Sequence, residues 1–276
     1  GLHPLHLGPG FTSVYRSIVE RRMHAKATGD KITNESLKVT INSSFGKFGS
    51  RYSSMYSPDL LIQTTVTGQL SLMMLIERLT AVGVQVCSAN TDGIVLLFDD
   101  AIGPDVEQVC FDWELDTCFE LEDTFYKAVY SRDVNNYLAV KPDNSHKSKG
   151  IFTLGTLSKN PANVICYEAV IDYLINDTPI EHTIRECDIP HKFTSIRTVN
   201  GGAIYNKEVI GKSIRWYYSL YETGYISYAK NGNKVPKTDG AVPMMELTED
   251  IPLDLNYQYY IDEAKTILEG LGLCEN

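Results

Sequence analysis

The feature that most limits the fold is a pair of short apolar runs on either side of a turn. Val84-Gln85-Val86-Cys87-Ser88-Ala89 and Ile94-Val95-Leu96-Leu97-Phe98 flank Asn90-Thr91-Asp92-Gly93. Short apolar runs bounded by turn formers predict strands, and Asp-Gly readily supplies the positive φ of a tight hairpin. An antiparallel hairpin is therefore expected here. Its second strand is apolar throughout, which predicts cover on both faces. Further strands are expected at 118–123 and 134–140.

Helical periodicity surrounds the hairpin. In 12–28, Val14, Ile18, Val19 and Met23 recur at helical spacing, and Thr12 or Ser13 can cap the start. Gly29-Asp30 is a break. A second helix is expected at 34–47, with Leu37, Ile41 and Phe45 every fourth residue. The short connection predicts an antiparallel helical pair. Residues 64–81 read as a mostly buried helix. A polar, turn-rich boundary falls at 141–150. Beyond it, Asn160-Pro161 predicts an N-cap and first helical residue for the helix NVICYEAVIDYLI, and Thr178-Pro179-Ile180-Glu181 predicts a capping box. Residues 200–245 hold short strands and turns. A last helix is expected at 256–271, with Tyr257, Tyr260, Ile261, Ala264, Leu268 and Leu271 on one face. The class is α+β, an antiparallel sheet with helices on one side.

Composition narrows the function. The 276 residues suggest two domains or one large one, and 43% apolar with 22% charged residues excludes wholesale disorder. No continuous apolar run reaches the roughly 18 residues of a membrane span, so no membrane partner is expected. No basic leader precedes an apolar stretch, so no secretory signal is expected. The opening Gly1-Leu2-His3-Pro4-Leu5-His6-Leu7-Gly8-Pro9-Gly10 reads as an interior segment or a joining scar, without assigned function. Six scattered cysteines without a C-x-x-C pair disfavour zinc and a disulfide framework and suit a reducing compartment. The net charge of −10 argues against general nucleic-acid binding. Its distribution is uneven: residues 1–51 carry eight Lys/Arg against three acids, a net of +5, which leaves −15 for the rest. One basic end on an acidic body suggests a local anion site.

Three constellations can carry chemistry. Arg22 and Lys26 are four apart on the first helix, and Lys38 and Asn42 four apart on the second. If the helices pack as a pair, three cations and an amide can converge on a polyphosphate. The same residues also fit a solvated basic face. Asp92, at a hairpin tip, suits a hard cation such as Mg²⁺, while a lone Asp-Gly also fits plain turn chemistry. In Asn42-Ser43-Ser44-Phe45-Gly46-Lys47-Phe48-Gly49, Gly46 and Gly49 end a helix and let a bulky group approach, and Phe45 offers a surface to a base or sugar. The alternative is a helix C-cap with a core Phe.

Together and in this order, these features resemble the C-terminal half of a family B DNA polymerase of the bacteriophage kind. The family's Lys-x-x-x-Asn-Ser-x-Tyr-Gly motif stands here as Lys38-Val39-Thr40-Ile41-Asn42-Ser43-Ser44-Phe45-Gly46, and its Asp-Thr-Asp-Ser hairpin as Asn90-Thr91-Asp92-Gly93. Its Thr-x-x-Gly-Arg helix start is resembled by Thr65-Val66-Thr67-Gly68-Gln69. Its Lys-Lys/Arg-Tyr motif and later Lys-Gly pair are resembled by Asn135-Asn136-Tyr137 and Lys149-Gly150. The likeness runs from about residue 12 to the end and is strongest over 20–150.

The resemblance implies fingers at 1–47, with 1–11 an irregular lead-in, palm at 48–150 and a mainly helical thumb at 151–276. It implies template-directed nucleotidyl transfer from a dNTP to a primer 3′-hydroxyl with two Mg²⁺ ions about 3.5–4 Å apart. Asp92 is then a catalytic metal ligand, with Glu120 and Glu122 as further candidates. Arg22, Lys26 and the catalytic Lys38 hold the phosphates, and Asn42 and Phe45 attend the nucleotide. Gly46, Gly49, Thr91, Tyr137 and Lys149 face primer–template DNA. The family's other metal aspartate, in an Asp-x-x-Ser-Leu-Tyr-Pro motif, is missing from this sequence, as are the exonuclease motifs. The expectation is therefore a divided polymerase, inactive alone and completed by a second polypeptide, acting in the cytoplasm of an infected host. The runner-up is a non-catalytic polymerase-like module that binds DNA or a replisome partner. A nucleotide-binding enzyme of another class is disfavoured, because neither G-x-x-x-x-G-K-[ST] nor a G-x-G-x-x-G after a strand occurs.

Overall fold

The computed structural model describes residues 3–153 and 160–275. The chain divides into two compact units, Gly1–Glu122 and Asp123–Asn276. The range 48–150, expected as palm, runs across this division. Among the described residues there are seven α-helices and three antiparallel sheets, an α+β composition. The expectation of one sheet is thus replaced by sheets of two, three and four strands.

The first unit runs α1 (Gly10–Thr28), α2 (Lys31–Phe48), α3 (Pro58–Ala81), β1 (Gln85–Ala89), β2 (Ile94–Leu97) and α4 (Gly103–Thr117). Helix α1 starts before either expected cap. Pro9 occupies the cap position, and the buried Thr12 hydroxyl finds no partner among the described residues. Asp30 caps α2, its carboxylate accepting from Thr33 N–H at 3.1 Å, which moves the helix start ahead of residue 34. The two helices run antiparallel. Tyr15 OH donates to the Ile41 carbonyl, Arg22 Nε donates to Asn34 Oδ1, and Phe11 meets Phe48 edge-on at 6.1 Å. The packed face of α1 is therefore Phe11, Tyr15, Ile18, Arg22 and Ala25, while Val14 and Met23 point to solvent.

Helix α3 corrects two expectations. It begins at Pro58, in the first turn, where proline is tolerated, and it is mostly exposed. Only Leu60, Leu75 and Leu79 are buried, because α2 touches one end and β1 and α4 the other. By length and composition it could also cross a membrane, a possibility that a search for unbroken apolar runs passes over, since Thr, Gln and Gly interrupt the helix. Core helices of proteins that cross no membrane meet the same test.

Strand β2 lacks the two-sided cover its sequence predicts, and Leu97 is 60% exposed. Its sheet has only two strands, and Ile94 and Leu96 pack on the core that α3 and α4 supply, while Leu97 faces away from it. The core here is small: Leu75, Leu79, Val84, Val106 and Trp113. Residues 118–123 are not a strand. Cys118 takes a left-handed conformation (φ 56°) that ends α4, and Leu121 N–H is taken by the Glu114 carboxylate at 2.5 Å rather than by a neighbouring strand.

The second unit runs β3 (Ala128–Asp133), β4 (Asn136–Val140), β5 (His146–Lys149), α5 (Val164–Asn176), α6 (Ile180–Arg185), β6 (Ser195–Tyr205), β7 (Glu208–Tyr218), β8 (Ser227–Tyr228), β9 (Ala241–Pro243) and α7 (Tyr257–Glu269). The region expected as mainly helical contains α5–α7 but also a sheet ordered β8-β6-β7-β9. Alternate residues of its long hairpin, including Ile214 and Trp216, face the core, where Phe193 packs edge-on against Tyr260 of α7 at 5.1 Å. Helix α5 does not open at Pro161. The Pro161 carbonyl accepts from Ile196 N–H at 2.8 Å and Ala162 bridges Ser195, so this stretch is held along β6 and the helix begins at Val164. The capping box at Thr178 does not form. The Thr178 side chain bonds Asp172, and Ile180 N–H donates to the Glu275 carboxylate at 2.8 Å. The last helix presents the expected face, with Tyr260, Ile261, Ala264 and Leu268 buried.

Candidate functional site

The turn 90–93 is closed by Asn90. Its backbone N–H donates to the Gly93 carbonyl at 2.9 Å, and its side-chain oxygen accepts from Asp92 N–H at 3.0 Å. Neither Asp92 nor Gly93 has a positive φ, which corrects the expected Asp-Gly mechanism: an Asx-type side-chain bond does the work. One consequence is chemical. Because Asn90 supplies the turn's acceptor, the Asp92 carboxylate is exposed and has no hydrogen bond or ion pair among the described residues. Thr91 is exposed beside it.

The three cations lie in a row rather than a ring. Contacts 22 to 34 and 15 to 41 set the helix register, which puts Lys26 beside the turn and Lys38 level with residue 18 of α1. At 1.5 Å per residue the row spans about 12 Å. Each cation has a partner: Arg22 with Asn34 Oδ1 at 3.3 Å, Lys38 with Glu35 at 3.7 Å, and Lys26 with Glu122 at 3.2 Å. Asn42 is exposed on α2, and Phe45 is partly exposed with its ring edge-on to Phe48. Gly46 lies inside α2 rather than at its end, with open space where a Cβ would sit. The helix ends at Phe48. At Gly49 a Cβ would stand 3.1 Å from the Leu61 side chain, so the bulky neighbour there is α3 itself.

Glu120 is exposed, and Glu122 is engaged by Lys26. Among the described residues no three His, Cys, Asp or Glu side chains gather to hold a metal ion. Hard divalent ions take several oxygens, and two ions bridging phosphates need more than one carboxylate. Asp92 with its present neighbours therefore does not fit the metal pair by itself.

In the second unit, Tyr137 on β4 pairs with Lys149 on β5, so two motifs twelve residues apart in sequence meet in one sheet. The asparagines standing where the family carries cations have a structural task. Asn136 Nδ2 donates to both Asp133 oxygens, at 2.7 and 2.8 Å, and its Oδ1 accepts from Ile151 N–H at 2.9 Å. The Asn136 amide, then Asn135 N–H, hold the Asp133 carboxyl below its ordinary range. A cleft of about 300 Å³ between Asn144, His146, Glu168 and Asp172 was not legible in the sequence, because its lining comes from separated elements.

No protein-family model matches the chain. A DNA polymerase of Pyramimonas orientalis virus is 28% identical over 210 residues, covering 66% of this chain and 16% of that protein. The similarity supports a DNA polymerase relationship. The chain spans 16% of the length of this relative.

Proposed function

We propose that this chain is part of a template-directed DNA polymerase of family B, of the bacteriophage type, completed by a second polypeptide. The reaction is attack of a primer 3′-hydroxyl on the α-phosphorus of a dNTP with release of pyrophosphate. The observation that carries the reading is the Asp92 carboxylate, exposed and unengaged at the tip of a two-stranded hairpin. The similarity to a viral DNA polymerase and the order of the matched motifs support it. Bare strand edges are templates for pairing, and β1 and β2 each have a partner on one side only. A strand added there by the second polypeptide is how a further carboxylate reaches Asp92.

In this reading the chain's own residues bind and orient. Arg22, Lys26 and Lys38 hold the triphosphate and offset charge that grows in the transition state. Asn42 and Phe45 attend the nucleotide. Gly46, Gly49, Thr91, Tyr137 and Lys149 face primer–template DNA, in the fingers (1–47), palm (48–150) and thumb (151–276) arrangement. Mg²⁺, when bound through carboxylates of both polypeptides, supplies charge neutralisation. The setting is the cytoplasm of an infected cell.

Primer extension with Mg²⁺ tests the reading, with native mass measurement to find the second polypeptide. The chain is expected to be inactive alone and active in the complex. Extension by the purified chain alone would remove the need for a partner. The lone carboxylate also favours a second reading, a non-catalytic module that binds DNA or a replisome partner. It predicts that Asp92→Ala leaves biological function intact.

A further inference from the structure

Two of the three fingers cations have their partners within the helical pair, Arg22 the neutral Asn34 amide and Lys38 the Glu35 carboxylate. Lys26 instead reaches 96 positions along the chain, to Glu122. Glu122 ends the first unit, in a stretch that has no helix or strand. That stretch is strapped to α4 by Cys118 N–H on the Glu114 carbonyl, by Leu121 N–H on the Glu114 carboxylate, and by Phe119 against Trp113 at 5.9 Å. The Lys26–Glu122 pair thus ties the 118–122 strap to the fingers.

Resting on the nucleotide-binding reading of Lys26, we propose that Glu122 is a stand-in for the triphosphate: it occupies Lys26 until nucleotide displaces it. A carboxylate and a phosphate offer the same ammonium the same kind of charged acceptor. Lys26 and Glu122 side chains are 53% and 81% exposed, so water and salt screen the pair. An exposed pair of this kind shifts a competing equilibrium by roughly two- to fivefold, enough to tune affinity without blocking the site. A polyanion that also engages Arg22 and Lys38 outcompetes one carboxylate.

The test is dATP binding to the full chain by calorimetry at low salt. Glu122→Gln is expected to tighten dATP two- to fivefold, and Glu107→Gln, which removes an exposed charge from α4, to leave it unchanged. In a Lys26→Ala background the gain from Glu122→Gln should vanish. If Lys26→Ala weakens dATP but Glu122→Gln has no effect, the stand-in role is wrong and the nucleotide site survives. A gain that persists without Lys26, or that Glu107→Gln reproduces, reflects general charge and also overturns it. If the wild type does not bind dATP, or Lys26→Ala changes nothing, the nucleotide-binding reading itself falls.

Discussion

Gly150 lies against Asn136, with no room between them for a methyl group. Its φ is +67°, and a Cβ there would collide with the Asn135 carbonyl oxygen and the Asn136 side-chain amide. The same amide holds Asp133 and Ile151, so a shift at Asn136 would release three hydrogen bonds. Gly150→Ala is therefore expected to destabilise the second unit by about 2–4 kcal/mol, from left-handed strain plus overpacking. Urea unfolding measures it. A loss under 1 kcal/mol would show that the β4–β5 region yields easily.

Asp92 and Lys38 are both exposed, which lets folding and function be separated. Asp92→Ala is expected to change stability by less than about 0.5 kcal/mol and to abolish primer extension in the completed enzyme. Lys38→Ala is expected to slow extension by about 10²–10³, the usual cost of one transition-state donor. An effect below threefold at Lys38 would count against its hold on the triphosphate.

The second unit should show a two-sided pH response through Tyr205 and Glu222. The Tyr205 hydroxyl, followed by Gly224 N–H, holds the Glu222 carboxyl below its ordinary value of 4.5. Burial, then Glu222, pushes Tyr205 up to about 12. A lowered carboxyl contributes stability above its unfolded value and loses it as pH falls through the folded one. A raised phenol contributes below its ordinary value of 10.0 and loses it as pH rises through about 12. The urea midpoints of wild type and Tyr205→Phe should therefore differ most between about pH 5 and 10 and draw together outside that window. A constant gap from pH 3 to 8 would mean that Glu222 has no share in it.

The first unit depends on few buried side chains. Leu79 is fully buried among Leu75, Val84, Val106 and Trp113. Leu79→Ala should cost about 2–5 kcal/mol, through lost transfer energy and an unfilled cavity. Hydrogen exchange across 85–97 should accelerate accordingly, because β1 is the strand that α3 supports. Unchanged protection there would place the unit's stability elsewhere.

Legibility in the sequence followed the range of the interaction. The β1–β2 hairpin, the α1–α2 pair, strand β4 and the apolar face of α7 were readable, because local hydrogen bonding and side-chain period specify each. Burial was not readable in the same way. Ile94 to Leu97 are apolar enough for a covered strand, and residues 64–81 for a buried helix, yet each is covered only where another element arrives. Pro161 looked like a helix start and instead lies along β6, because Ile196 claims its carbonyl.

The sequence by itself determined which residues carry charge and where the chain turns: a carboxylate in a four-residue turn, and cations spaced along two helices joined by Gly29-Asp30. Tertiary structure alone decided what those groups meet. Asn90 rather than a glycine φ closes the turn and leaves Asp92 unengaged. Glu122 stands on Lys26 rather than gathering with Asp92 in a three-residue metal cluster. The reason is that hydrogen-bonding period is a property of neighbours along the chain, whereas an ion pair between residues 96 apart exists only once packing has brought the strap back to α1.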